Sequence, residues 1–173
     1  MANLSIHEIF WSSKFRKNKS RDVSRNDFLR IIPFFEHLTD QQLKTLANRL
    51  HERRYEENEY LFEVNHPGAA LFVIIRGEVV VETTSDPKSR ITLASLKSSE
   101  FLGELALLDQ SPRSASARAT KPTEVYALFR TDLIELAKSH PEIACEVYRS
   151  LAFIVGERLK ATNRQADVQR KSA

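Results

Sequence analysis

The chain has little of what cross-links or ligates. Cys145 is its only cysteine, so it can form no internal disulfide, and one thiol cannot build a zinc cage or an iron–sulfur site. Cys145 reads instead as a small buried side chain on a helix. With four glycines and six prolines there is no low-complexity tract, and no segment repeats. No apolar run reaches the roughly 18 residues that would cross a membrane. The first residues lack the apolar stretch of a secretory signal, so a cytoplasmic location is expected. The five histidines, His7, His37, His51, His66 and His140, are scattered, with no His-x-His pair. That leaves no metal site to nominate. A Gly-x-Ser-x-Gly elbow, a P-loop and a paired base and nucleophile are also missing, so no catalytic residue and no cofactor is assigned and the chain is not expected to be an enzyme.

What is present fits one soluble domain. Of 173 residues, 42% are hydrophobic and 28% charged. The net charge of +3 is unevenly placed. Residues 1–30 hold seven basic and three acidic groups, and residues 156–173 hold five and two, so the 125 residues between them carry a net negative charge. Basic ends suit either solvated tails or an acidic partner.

The order of patterns gives the fold class. Ile6, Ile9, Phe10 and Trp11 have the spacing of a short amphipathic helix, and a basic stretch follows from Lys14 to Arg21. Phe28, Leu29, Ile31 and Ile32 come next, and Pro33 ends that run. Thr39 with Gln42 three residues on predicts a capping box, before a helix with the apolar face Leu43, Leu46, Ala47 and Leu50. From His51 the period changes to two. Leu71, Val73 and Ile75 fall on one face, Phe72 and Ile74 on the other, with Val79 and Val81 beyond Gly77. Residues 85–89 read as a hairpin turn before Ile91–Leu96. Strands resume near Arg113–Ala119 and Thr123–Phe129. Thr131 is expected to cap a helix over Leu133–Lys138, and Pro141 to open a long last helix with the seam Ile143, Val147, Leu151, Ile154 or Val155, and Leu159. The class is α+β: an antiparallel β-roll of about eight strands, flanked by N-terminal helices and two C-terminal helices.

One segment carries chemistry: Phe101-Leu102-Gly103-Glu104-Leu105-Ala106-Leu107-Leu108-Asp109-Gln110-Ser111-Pro112-Arg113-Ser114-Ala115. Gly103 permits close backbone approach at the start of a short helix. Such a start offers free N–H groups to an anion. Glu104 supplies a hydrogen-bond acceptor there, and small Ala106 lets the turn lie close to a ligand or strand. Arg113 lies nine residues past Glu104 and carries the fork of donors that pairs with phosphate oxygens. An anion site beside a hydroxyl acceptor matches a ribose joined to a cyclic phosphate.

This segment resembles the phosphate-binding cassette of the cyclic-nucleotide-binding domain family, which includes bacterial catabolite activators, protein kinase regulatory subunits and cyclic-nucleotide-gated channels. Ile32-Pro33-Phe34-Phe35 with Leu38, the Gly68 turn, Leu71–Ile75 and Gly77-Glu78-Val79 resemble the family's flanking elements. The resemblance covers about residues 24–165. It implies that Glu104 takes the ribose 2′-hydroxyl and Arg113 the exocyclic phosphate oxygens, with backbone groups near Gly103, Leu105, Ser114 and Ala115 completing the pocket. Ser114 adds a hydroxyl for phosphate or a purine edge. The last helix is implied to close over the base: alignment by its proline puts Arg158 there, and alignment by its Arg-Leu pair puts Thr162 and Asn163 there. The chain departs from the family in having Asn58 and Asn65 where glycine is frequent. Asparagine tolerates the left-handed conformation best after glycine.

The implied division is an N-terminal basic and aromatic extension at 1–23, a cyclic-nucleotide-binding domain at 24–165 and a tail at 166–173. The implied function is a regulatory module that senses cAMP or cGMP and signals to a protein partner, or to a second copy, through its terminal helices. A degenerate fold serving only as an interaction scaffold is the alternative. With no residues left for a helix-turn-helix after the last helix, no sequence-specific DNA binding is expected.

Overall fold

The computed structural model describes residues 24–86 and 89–171, and their side chains outside 84–89, 161–162 and 164–171. The expected extension at 1–23, with Phe10, Trp11 and Phe15, lies outside the described residues, as do the centre of the 85–89 hairpin turn and the side chain of Thr162.

Helix α1 is Arg25–Arg30, capped by the Ser24 side chain, and one 3-10 turn at Pro33–Phe35 follows. Helix α2, Asp40–Ala47, begins with the expected capping box: Thr39 N–H donates to Gln42 Oε1 at 2.9 Å and Gln42 N–H to Thr39 Oγ1 at 3.4 Å. Six strands follow: β1 His51–Tyr55, β2 Tyr60–Phe62, β3 Ala70–Asp86, β4 Ser89–Lys97, β5 Phe101–Leu102 and β6 Ser116–Phe129. Helices α3, Arg130–Ser139, and α4, Pro141–Lys171, end the described chain. The strands form one antiparallel sheet ordered β1-β6-β3-β4, with β2 on β6 and β5 on β3.

The class is α+β as read, but the described strands number six and not about eight. The reading cut the chain at Gly77 and near Lys121, where residue types suggest turns. Both places are bends inside the long strands β3 and β6, with the ladder register shifting between Ile74 and Val79. Gly77 makes this possible. Its φ is +103°, and a Cβ there would lie 2.3 Å from Thr123 Oγ1. Asn58 and Asn65 both adopt a φ of +68°, the left-handed conformation expected of them.

A second correction concerns α3. Its N-cap is Phe129, which makes no side-chain cap bond, so Thr131 lies within the first turn and does not cap it. The helix starts earlier because Arg130 has another partner, described below.

Strand alternation divides the core in two. Leu71 and Val73 face outward into a cluster with Leu29, Phe35, Leu43, Leu133, Val147 and Leu151. Phe72 and Ile74 face the interior of the roll with Val79, Leu96, Ala117, Ala119 and Val125. Each large side chain fully buried in the helical cluster contributes about 1.5–3 kcal/mol. That cluster therefore anchors α3 and the first half of α4 to the sheet. The seam of α4 is buried at Ile143, Val147, Leu151 and Ile154, but Leu159 is 61% exposed. Val155 is half-buried against the same cluster, and Cys145, expected to be buried, is exposed because it lies off the seam of this helix.

Candidate functional site

Strand β5 pairs Phe101 and Leu102 with Val73 and Phe72 of β3, which fixes where Gly103 emerges. Gly103 has φ +77°, and a Cβ there would fall 2.6 Å from Arg113 Nη1. The close approach read from the sequence is thus an approach to Arg113. One 3-10 turn, Glu104–Leu107, follows, too short for a large dipole; the anion-binding character rests on Arg113.

Glu104 and Arg113 are both buried, 3% and 8% exposed, so they are not a surface ion pair. The Arg113 guanidinium donates from Nη1 to the Gly103 carbonyl at 3.1 Å and from Nη2 to the Ala70 carbonyl at 2.8 Å. It lies 4.0 Å above the Phe62 ring, which itself stacks on Phe72. Burial pulls its pKa below the usual arginine value, and the Glu104 carboxylate opposes that shift. Glu104 Oε1 accepts from Arg158 of α4, whose guanidinium also lies 6.0 Å over the Phe101 ring.

Among the described residues, two buried side-chain polar atoms have no hydrogen-bond partner: Glu104 Oε2 and Arg113 Nε. Each is an ionic group, and a buried group left unpaired costs about 1–3 kcal/mol or more. One asks for a donor and the other for an acceptor. A hydroxyl beside an anionic oxygen satisfies both.

The other nominated residues are placed as follows. Ala106 and Ala115 are buried, 3% and 7% exposed, whereas Leu105 is 49% exposed. Ser114 is exposed. Arg158, on α4, is brought to the Glu104 carboxylate. Thr162 lies in the backbone of α4, and Asn163 beside it is exposed. Sequence reasoning missed Phe62 and the Ala70 carbonyl, which orient Arg113. It also missed the loop 65–70 as a wall of the cassette. There Asn65 N–H donates to the Arg113 carbonyl at 2.9 Å and Arg113 N–H to the His66 carbonyl at 2.8 Å. No local pattern announces a contact between segments so far apart in the chain.

Comparison with known proteins agrees with this geometry. The profile of the "Cyclic nucleotide-binding domain" family matches residues 52–140, just over half of the chain. The cyclic AMP receptor protein of Thermus thermophilus is 32% identical over 136 residues, covering 79% of this chain and 61% of that protein. The crystal structure of the Thermus thermophilus catabolite activator protein superposes with a TM-score of 0.72 at 31% identity, covering 80% of this chain and 63% of that one. The N-terminal domain of a transcriptional regulator from Streptomyces coelicolor does so with a TM-score of 0.69 at 32% identity, covering 80% and 94%. The chain therefore spans less than two thirds of the receptor protein it matches. From the cassette geometry and these matches together, the chain belongs to the cyclic nucleotide-binding domain family.

Proposed function

We propose that this chain is a cAMP-sensing regulatory module, with cGMP as the weaker ligand, acting by binding and not by catalysis. The module spans 24–165, between the N-terminal extension and the tail. The observation that carries this is the pair of unpartnered buried atoms, Glu104 Oε2 and Arg113 Nε. The ribose 2′-hydroxyl donates to the first and an exocyclic phosphate oxygen accepts from the second. Backbone groups of Gly103, Leu105, Ala106, Ser114 and Ala115 border the same pocket. The cyclic AMP receptor protein of Thermus thermophilus, by its name, supports cyclic AMP as the ligand.

The signal leaves through α4. Arg158 holds Glu104 through Oε1 and leaves Oε2 for the ligand, so the sugar and the helix share one carboxylate. Ligand then favours the docked helix by its differential affinity for the docked and undocked states, and Thr162 and Asn163 follow Arg158 toward the base. On its solvent side α4 presents Phe153 and Leu159, 68% and 61% exposed, and Gly156 has open space at its Cα. This face suits a protein partner or the same helix of a second copy. Among the described residues no helix is long and apolar enough to cross a membrane, and we assign the module to the cytoplasm.

Calorimetry of the full chain with cAMP and cGMP tests the reading. Binding of cAMP with weaker binding of cGMP is expected. Absence of heat and of thermal stabilisation with both would favour the scaffold alternative.

A further inference from the structure

Arg130 opens α3, where a cation meets the positive end of the helix and weakens it. Its side chain has turned elsewhere. Nη1 lies 3.2 Å from the Gly68 carbonyl, 3.2 Å from the Ala106 carbonyl, and bonds the Asp109 carbonyl as well. Its backbone N–H donates to the Ala69 carbonyl at 2.9 Å.

Those carbonyls belong to two segments, the loop before β3 and the middle of the cassette. The segments touch with only the Ala106 methyl between them: a Cβ at Gly68 would lie 3.0 Å from Ala106 Cβ and 3.2 Å from the Ser111 carbonyl oxygen. Converging carbonyl dipoles repel unless a cation stands among them. The same loop leads into Ala70, whose carbonyl orients Arg113. Arg130 thus grips the cassette just past Glu104, on a helix that packs against the one carrying Arg158.

We propose that Arg130 is a positioning residue of the ligand site: its guanidinium clamps the Gly68 loop to the cassette at Ala106 and Asp109 and so sets Arg113 and Glu104 relative to one another. The proposal rests on the cyclic-nucleotide reading of that site. The test uses the full chain with Arg130→Met, which keeps length and removes the donors, and Arg130→Lys, which keeps the charge with a different reach. Hydrogen exchange is read without ligand on the amides of Ala106, Leu108 and Asp109 and, as reference, on the β3–β6 ladder; calorimetry is read with cAMP. In the Met variant the three cassette amides should exchange about tenfold faster while the ladder is unchanged. Its affinity for cAMP should fall about tenfold through faster release, and Lys should recover part of both losses. Cassette amides as slow as in the wild type would overturn the proposal, and so would equal acceleration of the ladder. If the Met variant does not fold, the Lys variant is read by the same criteria, and failure of both to fold assigns Arg130 to fold stability instead. A wild type that binds no cAMP would defeat the nucleotide reading, while the exchange comparison still decides the clamp.

Discussion

Among the described residues two glutamates are buried, and their surroundings differ in one respect. Glu82 on β3 is 4% exposed, and both of its oxygens are used. Tyr60 donates to Oε1 at 3.0 Å, Arg118 donates to Oε1 at 3.3 Å and to Oε2 at 3.2 Å, and Arg90 stands 3.5 Å away. Arg118 is completed by the Asn58 side chain at 2.8 Å. Glu104 is 3% exposed and uses one oxygen of two, beside an arginine with a free buried Nε. Residue types and burial are the same. A closed network is structure; an open one is a site waiting for a partner.

The largest effect should separate the two arginines. Arg113→Ala removes the guanidinium proposed to hold the phosphate and should cost about 2–4 kcal/mol of cAMP binding, roughly 30- to 1,000-fold. Arg118→Ala should leave affinity within about twofold and lower fold stability by about 1–3 kcal/mol, because it leaves Glu82 short of a donor. Calorimetry and chemical denaturation on both variants check this. Equal affinity of wild type and Arg113→Ala would remove Arg113 from the site.

The next effect is on the ligand side. The 2′-deoxy analogue of cAMP leaves Glu104 Oε2 unpaired and should bind about 1.5–3 kcal/mol more weakly. If the analogue binds as tightly as the parent, Glu104 has another role.

These contrasts also show what could be read from residue order. The cassette was legible because Gly103, Glu104 and Arg113 lie within one short segment. The helix caps and the alternation of Leu71 to Ile75 were legible because they are local. The strand count was not, since a bulge at Gly77 and a turn use the same residue type. Nor were Phe62, the Ala70 carbonyl and Arg130, which reach the cassette only once the roll closes. Arg130 left no trace, because the expected cap at Thr131 put it outside the helix that it in fact opens. Glu82 had no trace, because a glutamate on an alternating strand reads as solvent-facing until Tyr60 and Arg118 are folded over it.

The pH dependence of stability sharpens the comparison from the closed side. Burial raises the Glu82 carboxyl, but the bonds from Arg118 and Tyr60 outweigh it and hold the group below the ordinary glutamate value of 4.5. A carboxyl depressed in the folded state contributes stability above its unfolded value, and that contribution is lost as pH falls from 4.5 through the folded value. Bonds from Ser95 and Lys121 depress Glu78 in the same direction, so the wild type should lose stability on acidification by more than one route. Glu82→Gln should have a shallower slope of stability against pH below 4.5 than the wild type and no change in cAMP affinity. Equal slopes would show that the network does not hold Glu82 ionised.

The smallest effect should come from Arg158, and its pattern matters more than its size. The Arg158 side chain is 36% exposed, so solvent screens its pair with Glu104 and the direct contribution is about 0.5–1 kcal/mol. Arg158→Met should weaken cAMP by less than about fivefold, in the release rate, and deletion of 156–173 should weaken it further while the roll stays folded. Arg158 holds one oxygen of the Glu104 carboxylate, and the proposed ribose contact takes the other. Loss of Arg158 and loss of the 2′-hydroxyl should then fail to add: the Met variant should discriminate less between cAMP and its 2′-deoxy analogue than the wild type does. Helix docking should show the same dependence, with amides from Leu151 to Gln165 exchanging more slowly when ligand is bound to the wild type and little changed in Arg158→Met. Strictly additive losses, with ligand protection of α4 intact in the variant, would mean that Glu104 binds the sugar and the helix independently and that the signal leaves the site by another route.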